Sequence, residues 1–424
     1  MKSQLRIAFA LWAAICMWLY AGPLLKPYVF GAQYSAGVAG GRLADMYPSW
    51  FGTREMIVNH RNPYGQEVTQ DLQIAYYGHV LASDDQRNQQ RFAYPVYIAF
   101  LFAPTVRMPF HIVQMIGFWV LALITAASVP LWLRVVKWDA SWPTLVALQI
   151  LALSSIAAVH GLELQQMSLL VGGLTSAAAL LMVRRKLFAA GCLFGLAMIK
   201  PQMLVLPILW LLFWSLTQWR ERQRFVIGFG ATLALLVGGG EWILPGWIGQ
   251  FVQGALAYSH YAHPTSVLEV LLSPRGFVIA AFLLVLILAH ICFRFRSAPP
   301  DSPEFAITLA LFMAANLSVL PLMSPYNQVL LLPGVLILLR SEKQLWVERW
   351  LWRLTTVALI WPWITAALVV VLSWLHSPLA AAWIDVPLYS TLTLPLLVTA
   401  ALMSQALHGD EVSGGALPKP QIEV

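Results

Sequence analysis

The chain has 424 residues, of which 59% are hydrophobic and 11% are charged, and its mean hydropathy is +0.70. These values exclude an ordinary soluble protein. Together with apolar runs that recur along the whole length, they predict a polytopic, all-α transmembrane protein. The net charge of +7 (26 basic minus 19 acidic residues) indicates no nucleic-acid partner, because the basic residues lie in short connections, where the positive-inside rule expects them.

The apolar runs predict membrane segments along the chain. The first, 7–25, follows Lys2 and Arg6 and has no clear cleavage site behind it, so we interpret it as an uncleaved signal-anchor helix. Segment 92–106 is short and contains two prolines, and we predict that it is re-entrant or interfacial. This leaves about 12 transmembrane helices, with the N-terminus in the cytoplasm. The full set of segments is 7–25, 92–106, 111–134, 143–159, 167–183, 187–200, 201–218, 225–244, 277–293, 305–322, 327–340, 350–373 and 387–407.

A polar loop, 31–91, follows the first apolar run and is rich in Trp, Tyr and Pro. In a membrane protein whose other connections are short, one long loop is usually functional. With the N-terminus inside, we predict that this loop lies outside, on the periplasmic or extracellular face. The C-terminal tail, 408–424, contains Gly, Pro and acidic residues, and we predict that it is disordered and cytoplasmic.

The same topology places further polar segments at the outer ends of the helices. Because the polar residues that look out of place in lipid then share one face with the long loop, we predict that the loop forms half of an active site. The segments concerned are 160–166, 200–202, 245–275 and 324–328.

Among these residues, Lys200 is the strongest single indication of a functional site. It interrupts an apolar run between Leu187 and Trp214, and Pro201 breaks the helix directly after it. A charge at membrane depth costs roughly 2.5–3.5 kcal/mol, so an anionic partner is expected to offset it. The functional interpretation is a phosphate-binding lysine next to Gln202, and the structural one is a lysine whose ammonium reaches the headgroups.

Asp45 follows the first helix closely and lies beside two aromatic residues, Tyr47 and Trp50, that suit an interfacial segment. A partly desolvated aspartate at that position is suited to accept a proton from a hydroxyl nucleophile. The plain alternative is a solvated charge, paired with Arg42 at three-residue spacing.

Two other polar groups carry candidate binding residues. Glu163 is flanked by apolar residues and followed by Gln166, and this patch is suited either to bind a hydroxyl-rich substrate or to orient Lys200. Asn327 follows a proline turn at the same face. A satisfied interhelical polar cluster, or a plain loop at Asn327, explains each of them almost as well.

Metal chemistry is weakly indicated. His260 and His263 are three apart but lack a nearby carboxylate, so they form a poor zinc site and suit recognition of a lipid headgroup at least as well. Cys16, Cys192 and Cys292 are widely spaced in apolar segments and indicate neither a disulfide framework nor a zinc site. We expect no cofactor, with a divalent metal left open.

An ordered set of short motifs resembles glycosyltransferase family 87. The resemblance covers roughly residues 7–340, and no single motif in it is specific. Many relatives have Tyr-Pro-Pro where this chain has Tyr94-Pro95-Val96, and Gly-Gln where it has Gln165-Gln166. The motifs are Asp45-Met46-Tyr47, Asn62-Pro63-Tyr64, Tyr94-Pro95, Gln166-x-Ser168, Gly195 to Lys200-Pro201, and Ser324-Pro325.

The resemblance implies a C-type glycosyltransferase fold and the use of polyprenyl-phosphate sugars, here by a mannosyltransferase-like enzyme. It implies that Asp45 is the general base and that Lys200 faces the donor phosphate. The remaining predicted binding residues are Glu163, Gln166, Gln202, Tyr94, Asn327 and Tyr47. The expected partners are the lipid-linked donor, a glycolipid or glycan acceptor, and the bilayer of a bacterial inner membrane.

Within this interpretation, residues 1–340 form the glycosyltransferase module and 341–407 form additional transmembrane helices. A transporter or flippase of lipid-linked sugars or anions is the alternative, with Lys200 and Glu163 as substrate or proton-relay groups. Against it, the chain shows no convincing internal repeat, which transporters often have. A non-catalytic scaffold would tolerate changes at Asp45, Lys200 and Glu163 alike.

Overall fold

We describe the protein from a computed structural model, which covers residues 3–28, 43–82, 85, 87–262, 265–321, 323–340 and 346–408. Within these ranges the chain is helical and contains no strand, which confirms the predicted all-α class. The longer helices are α1 (Ser3–Tyr20), α2 (Met46–Val58), α3 (Gln66–Tyr77), α4 (Phe110–Val135), α5 (Trp142–Leu153), α6 (Ile156–Leu164), α7 (Met167–Val183), α8 (Leu187–Ala197), α9 (Val205–Thr217), α10 (Trp219–Ile243), α11 (Trp247–Ala262), α12 (Pro274–Arg294), α13 (Pro303–Val319), α14 (Leu332–Arg340), α15 (Trp346–Trp374) and α16 (Leu394–His408).

The apolar helices fall into two length classes, which agrees with a multi-pass membrane protein. In the described part of the chain, six helical stretches are long and apolar enough to cross a bilayer, and α5 with α6 makes a seventh if this pair, bent by 53°, is one crossing. Shorter apolar helices of 10–17 residues lie between them. The six stretches are Gln4–Tyr28, Phe110–Val135, Trp219–Ile243, Pro274–Arg294, Arg349–Trp374 and Leu379–His408. The expected number of about 12 crossings and the C-type fold stay predictions.

The bend between α5 and α6 corrects the predicted continuous segment 143–159. The first helix ends at Leu153 and the second begins at Ile156. Ser155 caps the second helix, because its Oγ accepts the backbone N–H of Ala158 at 3.2 Å. Both flanks are apolar, so hydropathy alone gives no sign of this break.

The segment predicted as re-entrant is short in the structure. Val96–Thr105 is a ten-residue helical stretch with 3₁₀ turns at both ends. Ten α-helical residues reach about 15 Å, roughly half of the hydrocarbon thickness. The hydroxyl of Tyr97 donates to the carbonyl of Met198 at 2.7 Å, so the segment contacts the chain just ahead of Lys200.

The long polar loop contains two helices that the sequence analysis did not predict, α2 and α3. Glu55 is buried in α2 and accepts hydrogen bonds from Asn59 at 2.8 Å and Arg61 at 3.1 Å. Arg61 also reaches Asp71 of α3 at 2.7 Å, so one guanidinium ties the two helices together. Within the predicted loop, residues 31–42 lie outside the described ranges, and so do 409–424 of the predicted tail.

Close packing of α8 against α10 fixes the approach to Lys200. A Cβ atom on Gly191 would overlap the carbonyl oxygen of Phe225, and one on Gly228 would overlap that of Phe188. Small residues at such crossings let helix backbones approach each other within a membrane. The end of α8, and with it Lys200, is therefore held in place by backbone contact.

Candidate active site

Lys200 lies between α8 and the 3₁₀ segment Pro201–Leu204 and is only 7% exposed. Its ammonium donates to Ser168 Oγ at 2.7 Å, Gln166 Oε1 at 3.1 Å and Asn327 Oδ1 at 3.2 Å. These three acceptors match the three protons of a lysine ammonium. A buried cation that is fully hydrogen-bonded avoids most of the penalty for leaving water.

The acceptors come from two distant parts of the sequence. Gln166 and Ser168 lie at the start of α7, and Asn327 lies in the 3₁₀ segment Pro325–Leu331. Ser168 Oγ also donates to Asn327 Oδ1 at 2.8 Å, which joins the two parts directly. The predicted convergence of segments 160–166, 200–202 and 324–328 is therefore seen in side-chain contacts.

A tight corner between α6 and α7 sets the position of Gln166. Gln165 has a left-handed backbone, with φ of 52°, and the N–H of Gln166 donates to the carbonyl of Gly161 at 2.8 Å. Glycine adopts this conformation without steric cost, and other residues rarely do. Here Gln165 holds the corner with its side chain, whose amide nitrogen donates to the carbonyl of Gln114.

Asp45 approaches the same corner from the long loop. Its backbone N–H donates to the carbonyl of Leu164 at 2.9 Å, and its Oδ2 accepts the side-chain amide of Gln166 at 2.5 Å. Burial raises the pKa of Asp45 above the usual carboxyl value, while the Gln166 hydrogen bond and the charge of Lys200 act in the opposite direction. A carboxylate with a raised pKa is a stronger base, which suits proton abstraction.

Two aromatic residues complete the cluster. The Lys200 ammonium lies 4.7 Å from the ring centroid of Tyr326, within cation–π range, and the His160 ring stacks on the same tyrosine at 5.7 Å. Neither residue was among the predicted site residues. Both residues lie in polar segments, 160–166 and 324–328, that the predicted topology placed on the outer face. The segments were therefore predicted, but the two individual residues were not.

Glu163 makes no hydrogen bond with Lys200 in the described part of the chain, and its predicted role in substrate binding stays a prediction. Among the described residues its carboxylate pairs with Lys26, at 2.7 Å. Glu163 lies three residues before Gln166, but the left-handed corner at Gln165 ends α6 and starts a new helix direction. Lys26 follows α1, so this ion pair ties the end of the first helix to the end of α6.

The other predicted binding residues lie around the cluster. Tyr47 packs in an aromatic group, with ring centroids 5.5 Å from Phe51 and 4.8 Å from Phe110. The carbonyl of Tyr94 accepts the hydroxyl of Tyr64 at 2.7 Å. Gln202 has an exposed side chain, and its carbonyl accepts the Asn316 amide at 3.0 Å.

An apolar cavity of about 260 Å³ lies between the helices that carry parts of the cluster. Its wall includes Leu169 and Gln328, which directly follow Ser168 and Asn327 in the sequence. Several polar side chains on the wall are bonded within the protein; Gln328, for example, donates to the carbonyl of Thr391 at 3.0 Å. The cavity is therefore a largely apolar space.

Comparison with known proteins identifies the family. A model of glycosyltransferase family 87 matches residues 92–325, more than half of the chain, and the match includes Gln166 and Lys200. Asp45 lies upstream of it and Asn327 just beyond its end. Neither the curated proteins nor the solved structures gave a match. The chain belongs to glycosyltransferase family 87, and it is a membrane glycosyltransferase.

Proposed function

We propose that this protein transfers a sugar from a polyprenyl-phosphate donor to a hydroxyl group of a cell-envelope glycan or glycolipid, with inversion at the anomeric carbon. Mannose is the first candidate, followed by other hexoses and pentoses. One observation carries the proposal: a carboxylate, Asp45, and a buried cation, Lys200, are hydrogen-bonded to opposite ends of one amide group, that of Gln166. A single hydrogen-bonded cluster thus offers a base and a positive charge, the two groups that the proposed glycosyl transfer from a phosphate donor uses.

In the proposed reaction, Asp45 accepts the proton of the acceptor hydroxyl. The hydroxyl oxygen forms a bond with the anomeric carbon while the bond from that carbon to the phosphate oxygen breaks. The electron pair of the broken bond leaves with the polyprenyl phosphate. One displacement of this kind inverts the anomeric configuration.

Lys200 stabilises the charge that develops on the departing phosphate. Its protons are held by neutral oxygens of Gln166, Ser168 and Asn327. An anionic phosphate oxygen competes well with such acceptors, because charge-assisted hydrogen bonds are about twice as strong as neutral ones. Since this cation is built into the fold, we propose that no divalent metal is needed, and EDTA is then expected to leave the rate unchanged.

The apolar cavity supports a lipid-linked donor. Leu169 and Gln328, the residues next in sequence to Ser168 and Asn327, line this cavity. We therefore propose that the isoprenoid chain lies in it while the phosphate contacts Lys200. Each buried methylene contributes about 0.8 kcal/mol to binding. A nucleotide sugar has no apolar group to fill this space, and it is not available on the periplasmic side, where we propose that the reaction takes place.

The test is transfer of radiolabelled sugar by the purified full-length protein in lipid nanodiscs. A panel of polyprenyl-phosphate sugars is compared with the matching nucleotide sugars, using endogenous envelope lipids as acceptors. We expect a labelled product only with lipid-linked donors. Binding of these donors without any transfer would contradict the proposal and favour the flippase alternative.

The role of the cavity has its own test. Val335 lines the cavity, and Val335→Trp would fill part of it. We expect this variant to raise the KM for a long-chain donor more than for a short-chain one. Val357 is a suitable control, because it is 61% exposed and not part of the wall. Equal effects on both chain lengths, or a similar effect of Val357→Trp, would exclude the cavity as the lipid site.

A further inference from the structure

Gln166 bridges the two charged groups of the site through its side-chain amide. Its Oε1 accepts from Lys200 Nζ at 3.1 Å, and its Nε2 donates to Asp45 Oδ2 at 2.5 Å. The residue is only 5% exposed. An ammonium can only donate and a carboxylate can only accept, so one orientation of the amide alone satisfies both neighbours. The two charged groups therefore lock the bridge in place.

We propose that Gln166 is a positioning residue, which ties the base Asp45 to the cation Lys200 and keeps the carboxylate ionised and aimed, instead of binding the donor itself. The inference rests on the proposed function, because it assigns Asp45 as the base. Both hydrogen-bonding groups of the amide are already used within the protein. One carboxylate oxygen, Oδ2, is tied by the bridge, which leaves Oδ1 for the acceptor hydroxyl.

Among the described residues, few groups act on Asp45. Within these ranges, Lys200 is the charged group that acts on the carboxylate, and Gln166 is its side-chain hydrogen-bond donor. The backbone on either side is fixed separately, because the N–H of Asp45 donates to Leu164 and the carbonyl of Ala44 accepts the Tyr76 hydroxyl at 2.8 Å. Tyr47, two residues on, packs among aromatic rings. Removal of the amide should therefore affect the carboxylate more than the chain that carries it.

The primary experiment measures the protonation of Asp45 without any substrate. Dicyclohexylcarbodiimide labels protonated carboxyl groups, and mass spectrometry follows labelling of the Asp45 peptide against pH in the wild type and in Gln166→Leu. Since a hydrogen bond to the charged form lowers a pKa, we expect labelling in the variant to persist about one pH unit higher. Coincident curves would overturn the inference.

Ser168→Ala is the matched control. Ser168 bonds the same ammonium and Asn327, but it has no hydrogen bond to Asp45 among the described contacts. We expect this variant to label like the wild type. If Ser168→Ala moved the labelling curve as far as Gln166→Leu, the effect would reflect general loosening of the cluster, and the inference would be wrong.

Kinetics separate positioning from donor binding. In Gln166→Leu we expect kcat to fall about 100-fold, because displacement of a catalytic group by about 1 Å costs that much. The donor KM, and binding of undecaprenyl phosphate followed by native mass spectrometry, should stay within about threefold. Loss of undecaprenyl phosphate binding with an unchanged labelling curve would make Gln166 a donor ligand. Failure of the wild type to transfer any sugar would contradict the proposed function, while the labelling result would still decide the role of Gln166.

Discussion

Among the described residues, two cations, Lys200 and Arg222, are buried, and they are buried in different ways. They are 7% and 4% exposed, so burial does not distinguish them. Lys200 is held by side-chain oxygens and lies close to a carboxylate. Arg222, in the first turn of α10, donates mainly to backbone carbonyls, those of Trp214 at 2.7 Å and Arg296 at 2.8 Å among them. Its guanidinium also lies 3.8 Å from the Trp214 ring centroid.

The acceptors of these two cations differ in how easily they can move. Backbone carbonyls at helix ends cannot move away without unfolding the helix ends that they terminate. Arg222 is therefore a structural clamp between the end of α9 and the chain that follows α12. The side-chain oxygens of Ser168 and Asn327 can rotate, so these acceptors of Lys200 can give way to a ligand while the Gln166 bridge stays. In this protein, the type of acceptor is more informative about function than the depth of burial.

The largest expected effect is a loss of activity when Lys200, but not Arg222, is replaced. Lys200→Met should lower kcat/KM about 10²–10³-fold, because it removes a preorganised charge from the leaving group. Its free energy of unfolding should fall by no more than about 1–3 kcal/mol, because Gln166 Oε1 loses its donor while Ser168 and Asn327 still bond each other. Initial rates at subsaturating donor measure the effect. A decrease in kcat/KM of less than threefold would show that Lys200 takes no part in the reaction.

The second effect is on stability and concerns the other cation. Arg222→Met should lower the free energy of unfolding by roughly 2 kcal/mol or more, because several buried carbonyls lose their donor. Activity per folded molecule should be retained. Denaturant unfolding in detergent measures the change, with the exposed neighbour in Arg220→Met as control. Equal stability of both variants would contradict the structural assignment.

The third effect is the pH dependence of the wild type. Asp45 works as a base only when ionised, and burial raises its pKa above the usual 3.8. The value of kcat/KM should therefore fall about tenfold per pH unit once the pH drops below this raised pKa. In a pH–rate profile, the midpoint of the acidic limb should lie above 3.8, the usual value for a carboxyl group. A midpoint at or below 3.8 would exclude a base with a raised pKa.

The smallest effect concerns a charge pair that is only partly buried. Lys26 is 43% exposed and pairs with Glu163, and such pairs contribute about 0–1 kcal/mol. Glu163→Gln should change the transfer rate by less than about threefold. It should change the free energy of unfolding by less than about 1 kcal/mol. Rates and unfolding of the variant test this. A loss as large as that of Lys200→Met would restore Glu163 as a site residue.

Much of the helical framework could be predicted from the sequence. Long apolar runs are sufficient to place helices such as Met167–Val183, which has the predicted bounds 167–183. Breaks inside apolar runs were missed at Ser155, because a capping hydroxyl does not change hydropathy. The helices α2 and α3 were missed because they are short and polar, and tertiary contacts such as Arg61 with Asp71 stabilise them.

The site was predictable where a residue contradicted its surroundings. Lys200 is out of place in an apolar run, and Asp45 is close to the membrane beside aromatic residues. Glu163 is also a charged residue among apolar neighbours, yet it pairs with Lys26. This pairing could not be predicted, because the left-handed corner at Gln165 that redirects the chain cannot be inferred from hydropathy. In the sequence, Arg222 is one of several basic residues in a connection between apolar segments. Its burial and its bonds to backbone carbonyls are seen only in the structure.

The most direct measurement is sugar transfer by Asp45→Asn in nanodiscs, because this change keeps the shape of the side chain and removes the base. We predict a rate at least about 10³-fold below the wild type, since general bases contribute roughly 10²–10⁴-fold. Binding of undecaprenyl phosphate and thermal unfolding should match the wild type. A folded Asp45→Asn protein that transfers sugar within about tenfold of the wild-type rate would show that Asp45 is not the base.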